Sequence, residues 1–384
     1  MEAYFDNSAT TRVFDSVRDA VVDAMCVHYG NAAAKHLKGV EAERIIRDAR
    51  KAVADSLKVA EKEILFTSGG TESNNTALIG TALANRRSGK HLITTAVEHP
   101  SVYHPMAFLE EMGFEITYLP VDEMGHISLD ELREAVREDT ILVSVMYVNN
   151  EIGAVEPIEE ISACIKQKNP KTLFHVDAIQ AYGKYRIRPK RQGIDLLSAS
   201  GHKIHGPKGI GFLYIGEKVK IRPLMLGGGQ QKGMRSGTEN VPGCAGLAAA
   251  VREIYRDHEA KTEALYGLRE RLIAGLKALP GVTVNGCEDR RNAPQIVSAS
   301  FEGVRSEVLL HALEDRGIYV SSGSACSSSH PGVSGTLKGI GLRNDLLDAT
   351  LRFSFGAFNT EEEVDYAVSV LGELLPVLRR YRAK

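Results

Sequence analysis

A strong net charge is the first thing this sequence lacks: Lys+Arg number 47 against Asp+Glu 49, a formal −2 at pH 7. No overall field draws it to nucleic acid or an anionic membrane, and a small substrate is expected. Nor is there a long apolar run, since the longest, near Ile141 to Val148, is far too short to span a bilayer. The opening Met1-Glu2-Ala3-Tyr4-Phe5-Asp6 has no basic-then-apolar secretion pattern, so a cytoplasmic location is the expectation. Five cysteines, Cys26, Cys164, Cys244, Cys287 and Cys326, are odd in number and form no Cys-x-x-Cys pair. That argues against a disulfide framework and against a tetrahedral zinc site, and no bound metal is expected. Repeats and low-complexity tracts are also missing.

What is present reads as an α/β protein. At 384 residues, 43% hydrophobic and 25% charged, the chain suits one large and one smaller domain. Strand-like runs at Glu63 to Thr67, His91 to Thr95, Glu115 to Leu119, Thr140 to Val148, Thr172 to Val176, Leu196 to Ser200 and Gly211 to Ile215 alternate with helical patterns. A mainly parallel sheet follows from that alternation. Helix signals include the Ile45, Ile46, Ala49, Val53, Leu57 spacing and capping boxes at Ser128/Glu131 and Thr360/Glu363. A long helical pattern from about Ala245 toward Leu279 leads, after Pro280-Gly281, into shorter strands near Thr283 and Ile296 to Phe301.

Several segments carry residue types suited to chemistry. Phe66-Thr67-Ser68-Gly69-Gly70-Thr71 runs from a strand into a helix, and its free N–H groups suit a phosphate, although a tight turn capped by Thr71 has the same look. It is not a Walker loop, because no Gly-Lys-Ser/Thr follows. Ser200-Gly201-His202-Lys203, just past a strand, suits a desolvated amine able to form a Schiff base; a basic surface loop is the alternative. Asp177 closes a strand at the carboxyl edge of the sheet, where it can pair with a pyridinium nitrogen or merely cap a helix. His99, in Glu98-His99-Pro100-Ser101, can lie over a planar cofactor or be structural. Arg352 can grip a carboxylate bidentately or sit on a surface strand.

Ser321 to Gly332 is almost wholly Ser, Gly and Ala around Cys326. It reads as an exposed mobile loop, and a cysteine there as a reactive thiol rather than core filler.

In this order the segments resemble the cysteine desulfurases of the NifS and IscS type, from Tyr4-Phe5-Asp6-Asn7-Ser8-Ala9-Thr10-Thr11 to Thr360-Glu361-Glu362-Glu363. The most specific matches are Ser200 to Lys203, Ser321 to Cys326, Val148-Asn149-Asn150-Glu151-Ile152-Gly153, and Arg235-Ser236-Gly237-Thr238. The resemblance implies a fold-type I, class-V aminotransferase-like homodimer that uses pyridoxal 5′-phosphate. Its large domain, residues 13–257, would hold a seven-stranded, mainly parallel sheet; residues 1–12 and 258–384 would form a smaller α/β domain carrying the cysteine loop. Lys203 would be the Schiff-base lysine, Asp177 the partner of the pyridine nitrogen, Gln180 and Asn150 neighbours of the ring hydroxyl, and His99 the residue stacked on the ring. Gly70, Thr71, Ser200 and His202 would hold the phosphate, with Thr238 arriving from the other subunit. Asn150 and Arg352 would orient the carboxylate of L-cysteine, and Cys326 would take the sulfur for an acceptor such as an iron–sulfur scaffold or a tRNA-thiolation enzyme. Three departures stand out: Asn31-Ala32-Ala33-Ala34 after Tyr29-Gly30, Ala357 where relatives often have Arg, and Ser8 for the commoner Ala. None is expected to touch the chemical groups. Rival readings are a selenocysteine lyase, an aminotransferase without use for Cys326, and a non-catalytic sulfur-relay scaffold.

Overall fold

The computed structural model describes residues 1–322 and 334–380. After a short first strand β1 (Ala3–Tyr4), seven strands build the main sheet: β2 (Ile64–Thr67), β3 (His91–Thr95), β4 (Glu115–Leu119), β5 (Thr140–Met146), β6 (Leu173–Asp177), β7 (Leu196–Ser200) and β8 (Gly211–Ile215). Their spatial order is β2-β8-β7-β6-β5-β3-β4. β8 runs antiparallel to both its neighbours; the remaining pairs are parallel. Every residue of β3, β5 and β7 is buried, as expected where helices cover both faces of a parallel sheet. Edge strand β4 is mostly half-exposed. The other edge, β2, is closed by a side chain: Phe66 N donates to Gln231 Oε1 at 2.8 Å and Gln231 Nε2 donates to Phe66 O at 2.8 Å. A carboxamide thus stands in for the missing neighbour strand.

The helix Leu37–Leu57 buries Ile46, Ala49, Val53 and Leu57, the stripe its sequence spacing predicts. With the helix Val241–Tyr255 it covers one sheet face. The helices Gly70–Asn85 and Pro100–Glu111 cover the other. A separate core gathers β9 (Val282–Asn285), β10 (Ile296–Phe301), β11 (Ile318–Tyr319), β12 (Ser321–Ser322) and β13 (Thr350–Ser354) with the long helices His258–Lys277 and Glu361–Arg380. Within it β12-β13-β10-β9 form an antiparallel sheet, and β1 pairs in parallel with β11. Ala3 and Phe5 therefore pack with the C-terminal core, not with the sheet that follows them in sequence.

Two expectations need correction. β5 stops at Met146 rather than Val148, because Val148 turns to bridge Val155 and closes the hairpin that carries Asn150. The helical pattern from Ala245 to Leu279 is two helices, broken where Asp257 takes a left-handed conformation (φ 51°). No Gly or Pro marks that break, and Asp is among the residues that tolerate the conformation best. Of the two capping boxes, Thr360/Glu363 is reciprocal, whereas at Ser128 the recorded bond is Glu131 N donating to Ser128 Oγ.

Candidate active site

The carboxyl ends of β2, β3, β6 and β7 open onto a cavity of about 320 Å³, within the range of cofactor sites. Ten of the residues selected from the sequence line it: Gly70 and Thr71, His99, Asn150, Asp177 and Gln180, Ser200, His202 and Lys203, and Arg352. Thr238 does not; it is exposed and lines a separate recess of about 210 Å³ beside Arg235. Cys326 and most of its Ser/Gly-rich segment lie outside the described residues.

One end of the cavity is a cradle for an anion. Gly69 has φ 154°, and a Cβ on Gly70 would come within 2.2 Å of Ile179 Cδ1, so only glycine lets the chain turn this closely into the helix Gly70–Asn85. That helix directs its N-terminal N–H groups and positive dipole end at the space. Ser200 closes β7 beside it, and His202 follows in a short turn, Gly201–Lys203. Burial, with Lys203 and Lys208 nearby, pushes the His202 imidazole down to about 4, so it is neutral at pH 7.

Asp177 marks the far end. Its Oδ2 accepts a 2.8 Å bond from Asn74 Nδ2 and its Oδ1 a 3.0 Å bond from Ile179 N. Burial raises its pKa, against the opposing pull of the Ile179 N–H, His99, Asn74 and Lys203. A fully buried carboxyl facing a cavity fits a ligand that brings a positive charge. Between the ends lies Lys203, whose Nζ donates to Ser8 O and, at 2.8 Å, to Ala9 O. Lys184, its own amine pushed down to about 8 by burial, fixes the Lys203 turn by donating to Lys203 O at 2.6 Å. His99 caps the helix Pro100–Glu111: Ser101 N donates to its Nδ1 at 3.1 Å, and Ser101 Oγ lies 2.8 Å away.

The carboxylate end is built from distant parts of the chain. Arg352, on β13, donates from Nη2 to Asp6 Oδ1 at 2.9 Å and from Nη1 to Asn150 O at 2.8 Å. Its Nε is buried and finds no partner among the described residues. Gln180 Nε2 donates to Ser8 O at 3.0 Å. Ser8 is the departure nearest the site: it lines the cavity and its backbone carbonyl receives Lys203, a contact that an alanine would make as well. The other two departures sit apart. Asn31 makes its own turn through Ala33 N and Ala34 N, and Ala357 N donates to His205 Nε2 at 3.1 Å.

The Aminotransferase class-V family matches residues 3–367. A "Cysteine desulfurase IscS" of Methanosarcina thermophila is 46% identical over 376 residues, covering 98% of this chain and 92% of that one. The chain belongs to the NifS/IscS-type cysteine desulfurase family. Its fold superposes on a solved "NIFS-LIKE PROTEIN" with a TM-score of 0.93 at 39% identity, covering 98% of this chain and all of that one. A structure titled "SspA in complex with cysteine" matches at 0.80 and 33%, over 93% of this chain and 100% of that one. Family membership makes the enzyme pyridoxal-phosphate-dependent, and the cavity fits that group: a glycine-walled anion cradle, a buried carboxyl and a lysine amine share its wall. Sequence reasoning passed over Asn74, three residues beyond the Phe66 to Thr71 motif, and Ser101, inside the Glu98 to Ser101 motif. Asn74 stands one helical turn after Gly70 and Ser101 two residues after His99, spacings that place them on the site's side.

Proposed function

We propose that this enzyme removes sulfur from L-cysteine, releasing L-alanine and leaving the sulfur on Cys326 as a persulfide. The observation that carries the reading is the convergence of Lys203, Asp177, His99 and Arg352 on one cavity. Pyridoxal phosphate would supply an electron sink, held by Lys203, Asp177 and the Gly70–Ser200–His202 cradle. Arg352 and Asn150, both on the cavity wall, would receive the substrate carboxylate and so aim the α-carbon at Lys203. The Lys203 amine, freed from the Ser8 and Ala9 carbonyls, would take the α-proton. Cys326 thiolate would attack the substrate sulfur; the C–S bond would break as the S–S bond forms, and His99 would supply from Nε2 the proton that completes alanine. Overall, cysteine and one thiol become alanine and one persulfide, with no outside oxidant.

We further read the chain as a homodimer in which Thr238 serves the partner's phosphate cradle, as two domains divided at residues 12/13 and 257/258, and as a cytoplasmic protein handing sulfur to an iron–sulfur scaffold or a tRNA-thiolation enzyme. The exposed position of Thr238 supports the first, and the packing of Ala3 and Phe5 with the C-terminal core supports the second. No helix among the described residues is long and apolar enough to cross a membrane. The direct test supplies purified enzyme with L-cysteine and a thiol reductant and measures alanine and sulfide. Equal yields of both are expected; pyruvate or a transaminated product would refute the reading, and turnover on selenocysteine alone would favour the lyase.

A further inference from the structure

Asp177 and His99 come from different strand ends, yet one side chain joins them. Asn74, on the helix Gly70–Asn85, donates from Nδ2 to Asp177 Oδ2 at 2.8 Å and from the same nitrogen to Ser101 Oγ at 2.9 Å. Asn74 and Asp177 are buried and Ser101 nearly so, so water does not substitute for these bonds. An amide nitrogen has two hydrogens, and both are committed. Ser101 Oγ therefore accepts from Asn74, and its own hydrogen is left to point at His99 Nδ1, 2.8 Å away. Ser101 N also donates to Nδ1. With donors on Nδ1, the neutral imidazole carries its proton on Nε2.

We propose that Asn74 is a positioning residue that, through Ser101, fixes the His99 tautomer with its Nε2–H toward the cavity while holding Asp177 as a hydrogen-bond acceptor. This rests on the reading of His99 as the proton donor, but concerns only the chain's own groups. The wiring has a direction. Asp177 and Nδ1 each accept from amide or hydroxyl donors, with Ser101 Oγ passing the direction on from Asn74, so these bonds favour, against the effect of burial on Asp177, an ionised Asp177 together with a neutral His99. The charged groups that bear on His99 are Asp177, which favours its protonation, and Lys203, which opposes it. Removing Asn74 frees the Ser101 hydroxyl to rotate and accept from a protonated Nδ1; removing the hydroxyl deletes one donor. Both changes favour imidazolium.

The experiment is ¹⁵N NMR of histidine-labelled holoenzyme, with His99 assigned through a His99→Gln sample, across pH 5 to 9. In the unmodified enzyme the His99 nitrogens should report the Nε2–H tautomer. Asn74→Ala and Ser101→Ala should each raise the His99 midpoint by half a unit or more, the double variant should show less than the sum, and Ser101→Thr should restore it. An Nδ1–H tautomer in the unmodified enzyme, or unmoved midpoints in both single variants with folded spectra, would overturn the proposal. Should Asn74→Ala fail to fold, Ser101→Ala against Ser101→Thr decides alone. None of these signals requires turnover, so a failure here and a failure of the desulfurase reading are separately visible.

Discussion

Replacing Arg352 by Lys keeps a positive charge but loses the planar fork, and the structure says what that should cost. The side chain is 7% exposed, tied to Asp6 and to the Asn150 carbonyl, and it lines the cavity. Lysine can reach one of these partners at a time, not a carboxylate as well. Losing one charge-assisted bond to the substrate carboxylate costs about 1.5–3 kcal/mol, a rise in KM for cysteine of about ten- to a hundredfold. The loss of the second protein contact should lower stability by only about 1–2 kcal/mol, since Asp6 keeps a cation nearby and some solvent. Asp6→Asn is the control: it removes the ion pair but not the fork, so it should affect Tm more than KM. Steady-state alanine release read against thermal melting separates the two. A KM for Arg352→Lys within twofold of the unmodified enzyme, alongside a lowered Tm, would show that this arginine serves the fold and not the substrate.

Lys203→Ala should abolish the lysine adduct that borohydride traps in the unmodified enzyme; a trapped adduct on another lysine would move the anchor elsewhere. Cys326→Ala should bind cofactor and cysteine normally yet lose sulfide release with a thiol reductant, and mass spectrometry of the unmodified enzyme should find the extra sulfur on the Cys326 peptide. Persulfide on Cys26, Cys164, Cys244 or Cys287 instead would refute the assignment. Glu98 is half-buried, its Oε1 accepting from Met146 N and Thr95 Oγ1 and its buried Oε2 without a partner among the described residues, and its carboxyl is pushed up to about 8, chiefly by burial. Because the folded pKa lies above the unfolded one, its stabilising share is intact below about pH 4.5 and is lost as pH rises through 8. Glu98→Gln should therefore melt higher than the unmodified enzyme at pH 8.5 and about the same at pH 4.5, and a Tm difference independent of pH would defeat the argument.

The fold was legible because a parallel sheet covered on both faces writes itself as apolar runs, and each run of the main sheet appears as a strand within a residue or two of its expected span. Gly70, Asp177 and Lys203 were legible for a related reason: strand ends at a carboxyl edge place their next residues at the site. Long-range closure was not. Lys203 meets Ser8 across 195 positions and Arg352 meets Asp6 across 346, and no local pattern encodes either contact. Asn74 was hidden differently, as a buried asparagine inside a helix whose sequence reads as ordinary. The break at Asp257 was missed because no Gly or Pro marks it.

Those long-range contacts tie the N-terminal segment to the residues of the candidate site. Residues 5 to 8 are pinned to the C-terminal core, where Asn7 Nδ2 donates to Ser354 O at 3.0 Å and Ser8 N to Ser354 Oγ at 2.8 Å. From there Asp6 holds Arg352, while the Ser8 and Ala9 carbonyls hold the Lys203 amine and the Ser8 carbonyl also accepts from Gln180. A carbonyl accepts but cannot take up a proton, so it steadies an ammonium without neutralising it. The two carbonyls thus seat the Lys203 side chain against the strap, and in the proposed reaction its amine would leave them to act as the base. The same strap fixes the arginine that would aim the substrate at that lysine. Binding site and base are therefore referenced to one short segment, and a displacement of Ser8 relative to Asp6 would alter the distance between the carboxylate grip and the amine that takes the proton. Catalytic geometry that tolerates only small misplacement gains from such a common anchor, which gives a physical reason for the chain to send its first residues across to the C-terminal core before building the sheet.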